Sequence, residues 1–259
     1  MKKEMRHQMI LDFLKQEKSL SVQELAFRLQ VSPATVRSDL NLLAGQKELI
    51  RTHGGAVYPS LGLQKSITIP VPHPEKIANL ELKESIAMEA VKLISENDTI
   101  FIGCGSTFYV FAKYLNTFKN LKVVTTNLNV AYELASGSHS VYFIGGELME
   151  LDGIYYTGGP KIPYELEKVY VNKAFIGVSG IDLKAGLTIY DLTQFNLYSS
   201  IHKIARKTIL VSDMTKFGCQ SAHLLGPIKG FVNTVVTNKE IHPSYKDAIL
   251  DMGIEFVTA

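Results

Sequence analysis

Apolar residues Met5, Met9, Ile10, Phe13 and Leu14 recur at helical spacing, and the polar stretch after them ends at Leu20. The pattern predicts a first helix of about ten residues. Ser21-Val22-Gln23-Glu24 reads as a capping box, followed by Leu25, Ala26 and Leu29 on one face, so a short second helix should stop near Gln30 and Val31. Ser32 is a good N-cap and Pro33 suits the first helical position, where a missing N–H costs nothing. A third helix then runs to about Leu43, with Val36, Leu40 and Leu43 as its buried stripe. Residues 48–52 are β-prone, and Gly54-Gly55 stands before a second β-prone run, the mark of a hairpin. Three short helices, with a tight turn between the second and third and a hairpin behind them, form a winged helix-turn-helix.

Residues 59–76 hold four prolines and no helical period, and read as a linker. Beyond them an amphipathic helix spans 80–94. Apolar strand-like runs then alternate with helical segments, at 99–102, 122–125, 140–144, 173–178, 208–211, 234–237 and 254–257. Such alternation predicts a mostly parallel α/β sheet, in which ligands bind beyond the carboxyl ends of the strands at a topological switch point. The chain thus divides into a small winged unit (1–58), a linker (59–76) and a large α/β domain (77–259).

Composition agrees with two folded units and separates them by charge. The chain of 259 residues is 46% hydrophobic and 20% charged, which suits globular cores rather than disorder. Its net charge of +2 is uneven: residues 1–60 carry nine Lys and Arg against six acids, and the rest carry 18 against 19. A basic segment ahead of a near-neutral bulk fits a nucleic-acid reader joined to something else. Two distant cysteines without a CxxC argue against a disulfide scaffold and for a reducing, cytoplasmic setting. The seven histidines show no chelating spacing, so no metal site and no cofactor are expected. No run of 18 apolar residues and no signal-peptide block appear, so no membrane partner is expected either.

Two sets of residues carry the candidate chemistry. On the third helix, Ala34, Thr35, Arg37, Ser38 and Asn41 fall off the buried stripe, and the hairpin adds Arg51 and His53. Arg37 can pair with a guanine or a phosphate, and the hydroxyls of Ser32, Thr35 and Ser38 can bond phosphate oxygens or base edges. A solvated helix face is the plainer alternative for each. In the large domain, Gly103-Cys104-Gly105-Ser106-Thr107 follows the first strand and leads into a helix. Glycines there let an anion approach free amides and hydroxyls. Neither a dinucleotide fingerprint nor a P-loop is present. Asn127, Gly145-Gly146, Asp182, and Asp213 with Lys216 stand in the loops after later strands. Cys104 sits inside the presumed anion loop, either as a small buried filler or as a thiol activated by the helix start.

The run Val31-Ser32-Pro33-Ala34-Thr35-Val36-Arg37-Ser38-Asp39-Leu40, followed by Arg51-Thr52-His53-Gly54-Gly55-Ala56, resembles the DeoR family of bacterial transcription regulators. The segments GCGST (103–107), TTN (125–127), IGG (144–146), AFIGVSGID…GLT (174–188) and SDMTKFG (212–218) resemble its sensor domain, of the same broad fold group as sugar-phosphate isomerases. The resemblance implies a homo-oligomeric repressor or activator of a carbohydrate operon, with repressor the first expectation, binding operator DNA through residues 32–41 with Pro33 at the helix start, and sensing a phosphorylated sugar or polyol. It implies that Gly103, Gly105, Ser106 and Thr107 hold the phosphate, that Asn127 and Asp182 read hydroxyls, and that Lys216 supplies a cation, with Gly145, Gly146 and Asp213 in the same site. Ser38 departs from the second arginine common in the family, and Gln194 and Asn196 stand where acidic residues are frequent. A sugar-phosphate isomerase or deaminase using the same pocket is the alternative. An isomerase needs a base poised beside a carbonyl, and no paired Glu/His constellation is apparent.

Overall fold

The computed structural model describes residues 3–17, 19–46, 48–52, 54–58 and 72–259. The chain forms two compact units, Met1–Thr68 and Ile69–Ala259. Most of the expected linker, residues 59–71, lies outside the described residues.

The first unit contains α1 (Lys3–Glu17), β1 (Ser19–Ser21), α2 (Val22–Leu29), α3 (Pro33–Gly45), β2 (Ile50–Arg51) and β3 (Gly55–Val57). The capping box forms as expected: the Ser21 hydroxyl accepts from the Glu24 amide at 3.1 Å, and the Ser21 amide donates to Glu24 Oε2 at 2.8 Å. Gln30 ends α2 in the left-handed region. The three-stranded antiparallel sheet, β1-β3-β2, contains a strand the periodicity missed, since β1 is only three residues long and exists by pairing with β3. Ile10, Leu14, Leu25, Val36 and Leu40 are fully buried between the helices. Asp39, on α3, is buried with them. It accepts hydrogen bonds from Arg6 Nε at 2.5 Å and Arg6 Nη2 at 3.0 Å and lies 3.0 Å from His7 Nε2, which ties α1 to α3.

The second unit runs through α4 (Leu80–Val91), β4 (Thr99–Ile102), α5 (Ser106–Leu115), β5 (Lys122–Thr125), α6 (Leu128–Leu134), β6 (Ser140–Phe143), β7 (Glu147–Leu151), β8 (Ile154–Gly158), α7 (Ile162–Leu166) and β9 (Val171–Ile176). It continues through β10 (Gly180–Asp182), β11 (Gly186–Ile189), α8 (Thr193–Ile204), β12 (Ala205–Val211), β13 (His223–Gly226), β14 (Thr234–Thr237), α9 (Pro243–Asp251) and β15 (Glu255–Thr258). Seven strands make one parallel sheet in the order β15-β14-β12-β9-β4-β5-β6, and they are the seven runs expected from the sequence. Alternate residues of each strand serve opposite faces. Phe101 joins a cluster with Leu166, Leu197, Ile201 and Ile249, from α7 to α9. Its neighbours Ile100 and Ile102 join a second cluster with Ile86, Phe108, Phe111 and Val130, from α4 to α6.

Strand β4 sits beside β5 on one side and β9 on the other. The chain leaves β4 towards β5 and β6, then returns to build β9, β12, β14 and β15 outward on the opposite side. The sheet's switch point therefore lies between β4 and β9. Two additions stand outside the main sheet, the hairpin β7-β8 and the antiparallel sheet β10-β11-β13. Among the described residues no helix is long and apolar enough to cross a membrane.

Candidate functional site

In the first unit, α3 begins at a satisfied cap. The Ser32 hydroxyl accepts from the Thr35 amide at 3.2 Å and lies 2.9 Å from the Thr35 hydroxyl. Ser32, Pro33, Ala34, Arg37, Ser38 and Asn41 are exposed, and Thr35 is half-buried. Their helix face turns away from Val36, Leu40 and Leu43, which enter the core. The six exposed residues and Thr35 thus share one accessible helix start, the part of such a helix that enters a major groove. Arg51 is half-buried, and its Nη1 donates to the Gly55 carbonyl at 2.8 Å, bracing the wing. His53 lies outside the described residues.

The second unit has a cleft of about 670 Å³ at the switch point, bounded by the ends of β4, β9 and β12. Five of the expected effector residues line it: Gly105, Ser106, Thr107, Asp213 and Lys216. Gly105 is the N-cap of α5, with φ at 102° and ψ at 165°, a conformation essentially restricted to glycine. Its cap makes no side-chain hydrogen bond. The cap side chain thus takes none of the first α5 amides, and the helix start brings its partial positive charge to the edge of the cleft, beside the hydroxyls of Ser106 and Thr107. Asp213 is buried and caps its own loop, accepting from the Thr215 amide at 3.1 Å and from the Thr215 hydroxyl.

The other five effector candidates do not line this cleft. The Gly103 amide donates to the Phe175 carbonyl at 2.9 Å, holding the end of β4 against β9. Asn127 is fully buried and caps α6, with its Oδ1 accepting from the amides of Asn129 at 3.1 Å and Val130 at 3.2 Å. A Cβ at Gly146 would meet the Gly158 carbonyl oxygen, so this glycine permits close approach to β8. Gly145 precedes it in the same loop. Asp182 closes the β10-β11 turn, accepting from the amides of Lys184 at 2.8 Å and Ala185 at 2.7 Å. These hydrogen bonds hold its carboxyl below the ordinary value, led by that from Ala185.

The cleft also contains residues that the sequence reading passed over. Lys83 of α4 is only 7% exposed. Its Nζ donates to the Ala78 carbonyl at 2.6 Å and to the Ser106 hydroxyl at 3.0 Å, which puts a cation directly at the anion loop. Burial pushes this ammonium below its ordinary pKa; Asp213 opposes the change and Lys216 reinforces it. A signal existed in the sequence: Lys83 falls on the same helical stripe as Leu80, Ile86, Ala87 and Ala90, where a solvated lysine would not belong. Asp152, in the two-residue turn of β7-β8, lines the cleft too. Asp152 and Gly153 both have positive φ, as an Asp-Gly hairpin turn requires.

Tyr156 of β8 and Gln194 of α8 complete the opposite wall. The Tyr156 hydroxyl donates to Asp191 Oδ2 at 2.5 Å, and Asp191 accepts also from the amide and hydroxyl of Thr193, at 2.9 Å and 2.6 Å. Burial, and then the bond to Asp191, raises the Tyr156 hydroxyl well above its ordinary pKa. Cys104 lies 3.1 Å from the Thr126 hydroxyl, and burial pushes its thiol up to about 12. Burial thus raises this thiol rather than activating it, and Cys104 packs in the core cluster that holds Phe101 and Tyr198.

Each unit matches a family model over most of its length. A family model described as the DeoR-like helix-turn-helix domain matches residues 6–61, and one described as the DeoR C-terminal sensor domain matches residues 78–239. The glycerol-3-phosphate regulon repressor of Escherichia coli strain K12 is 33% identical over 98% of both chains. The HTH-type transcriptional regulator GolR of Listeria innocua is 28% identical over 96% of this chain and 97% of its own. Among solved structures, a ribose-5-phosphate isomerase in complex with phospho-erythronic acid aligns over 53% of each chain, at 19% identity and a TM-score of 0.40. The chain belongs to the DeoR family of transcriptional regulators. The matched models and the names of these relatives are those of regulators rather than enzymes.

Proposed function

We propose that the protein is a DNA-binding repressor of a carbohydrate-metabolism operon whose grip on its operator responds to a phosphorylated sugar or polyol. Residues 1–58 serve as the reader, 59–76 as the connector and 77–259 as the sensor. One observation carries the effector half of this reading. The uncapped start of α5, with Gly105 in a glycine-only conformation, meets the buried Lys83 and the loop of Lys216 in a single cleft at the switch point. Oriented amides, two hydroxyls and two cations suit a dianion better than a neutral sugar. The name of the Escherichia coli relative, a glycerol-3-phosphate regulon repressor, agrees with a phosphorylated polyol as the class of effector.

For the reader half, Arg37, Ser38 and Asn41 supply base or phosphate contacts, Ser32 and Thr35 orient the helix start, and Arg51 and His53 act from the wing. Homo-oligomerisation in the cytoplasm would place two readers on half-sites related by symmetry. The cleft is read as a sensor without turnover. Arg37→Ala should lower affinity for DNA from around its own gene while leaving effector-induced melting shifts intact, and Lys216→Ala should do the reverse. Equal loss of both activities in both variants would refute the division of labour. DNA affinity should also fall steeply with salt, because phosphate contacts release counterions.

A further inference from the structure

The wall of the cleft opposite the hairpin is built by residues 72–79, the stretch that leads in sequence from the connector into α4. Pro72, His73, Lys76, Ile77, Ala78 and Asn79 all line the cleft. This wall is held at three points. Ile77 is buried against the sensor core. Asn79 Nδ2 donates to the Thr215 hydroxyl at 3.3 Å. The third hold is Lys83, whose ammonium spans the Ala78 carbonyl at 2.6 Å and the Ser106 hydroxyl at 3.0 Å. One cation thus joins the segment just before α4 to the start of α5.

We infer that Lys83 is a positioning residue through which an anion bound at the start of α5 tightens residues 72–79. The inference rests on the reading of the cleft as an effector site and adds how its occupancy is passed on. An ammonium has three N–H donors, and two of them are engaged by Ala78 and Ser106. A phosphate seated on the α5 amides takes the third by a charge-assisted bond, about twice as strong as a neutral one. Lys83 is then fixed between three acceptors, and the Ala78 carbonyl is fixed with it. With Ala78 and Ser106 as its acceptors among the described residues, the ammonium holds residues 72–79 less firmly than it does once the anion is added. Because the anion binds the two arrangements with different affinity, occupancy shifts the balance between them. Residues 72–76 of this wall are also the last part of the connector, so the shift reaches the segment that precedes the sensor in sequence.

Hydrogen exchange in the full chain tests this, with inorganic phosphate and a panel of phosphorylated sugars as probes and thermal melting as the measure of binding. The amides of Lys76 and Ile77, which donate to His73 and Pro74, should exchange about tenfold more slowly at saturation. In Lys83→Met the probe should bind at least about tenfold more weakly, a loss of one charge-assisted contact. When saturated, that variant should show no slowing at Lys76 and Ile77. A melting shift in the wild-type chain without slowed exchange would overturn the inference and leave the effector site standing. Slowing that persists in saturated Lys83→Met would remove Lys83 from the coupling. Absence of any melting shift with every probe would remove the effector site and the inference together.

Discussion

Helices α5 and α6 both start after neighbouring parallel strands of one sheet, in loops rich in small polar residues, yet they solve the same problem in opposite ways. At α6 the Asn127 side chain accepts from two helix-start amides. At α5 the cap is Gly105, with no side chain to do so. Every helix leaves its first N–H groups without an internal partner. A capped start spends them on its own stability, and an uncapped start in a cleft keeps them for a ligand. The chemical type of a residue after a strand therefore does not decide its use; what matters is whether its polar atoms are already engaged.

The largest effect should come from Gly105. Forcing a side chain into its conformation costs about 1–3 kcal/mol of strain, and Gly105→Val should abolish effector-induced stabilisation altogether in a melting assay. If Gly105→Val bound effector as well as the wild type, the uncapped start would have no role. Asp39 is the next test, as the most deeply engaged polar group of the other unit. Asp39→Asn should destabilise that unit by about 2 kcal/mol, the range for hydrogen bonds to charged groups, with no change in effector affinity by calorimetry. Burial alone would raise the Asp39 carboxyl, but the bonds from Arg6 and His7 outweigh it and hold the pKa below its ordinary value. A carboxyl depressed in the folded state stabilises above its unfolded pKa and loses that contribution as pH falls through its folded value. The first unit should therefore weaken below about pH 4 in the wild type and show a flatter acid limb in Asp39→Asn.

Two smaller effects sharpen the contrast between the helix starts. Ser106→Ala removes a hydroxyl from the anion loop and should weaken effector binding about tenfold, near the worth of one hydrogen bond; because that hydroxyl also accepts from the buried Lys83 ammonium, the empty protein should lose about 1 kcal/mol as well. Asn127→Ala should lower stability by about 1 kcal/mol for the lost cap and cost effector affinity less than Ser106→Ala does, since its Nδ2 reaches only the Gly105 carbonyl, at 3.4 Å. Isothermal titration beside denaturant unfolding separates the two. A swap of these outcomes would mean that Asn127 faces the ligand and Ser106 does not.

The main sheet was fully legible: its five inner strands carry apolar runs that end buried on both faces, and the edge strands β6 and β15, though exposed or half-buried, are short β-prone runs bounded by turns. The winged unit was legible through its caps at Ser21 and Ser32, which act within four residues and need no tertiary contact. Strand β1 was not, since three residues carry no period. The β7-β8 hairpin was missed although Asp152-Gly153 announces it, and with it went one wall of the cleft. Site residues divided along the same line. Gly105, Ser106 and Thr107 reach the cleft because their loop follows the strand at the switch point, a topological fact implied by strand order. Asn127 and Asp182 were expected there because polar residues after strands often read ligands, but both are engaged by nearby amides. Lys83 enters the site from a helix whose approach to β4 depends on tertiary packing, so only its place on an apolar stripe could have revealed it.

The central claim is that the start of α5 reads a phosphate, and paired melting curves test it most directly. Each phosphorylated sugar or polyol is compared with its unphosphorylated counterpart, in the wild-type chain and in Gly105→Val. At 100 times its dissociation constant a ligand of the native state adds about 2.7 kcal/mol. At least one phosphorylated compound should give such a stabilisation in the wild type, its unphosphorylated partner none, and Gly105→Val neither. Equal shifts from both members of a pair, or a shift that survives Gly105→Val, would contradict the account.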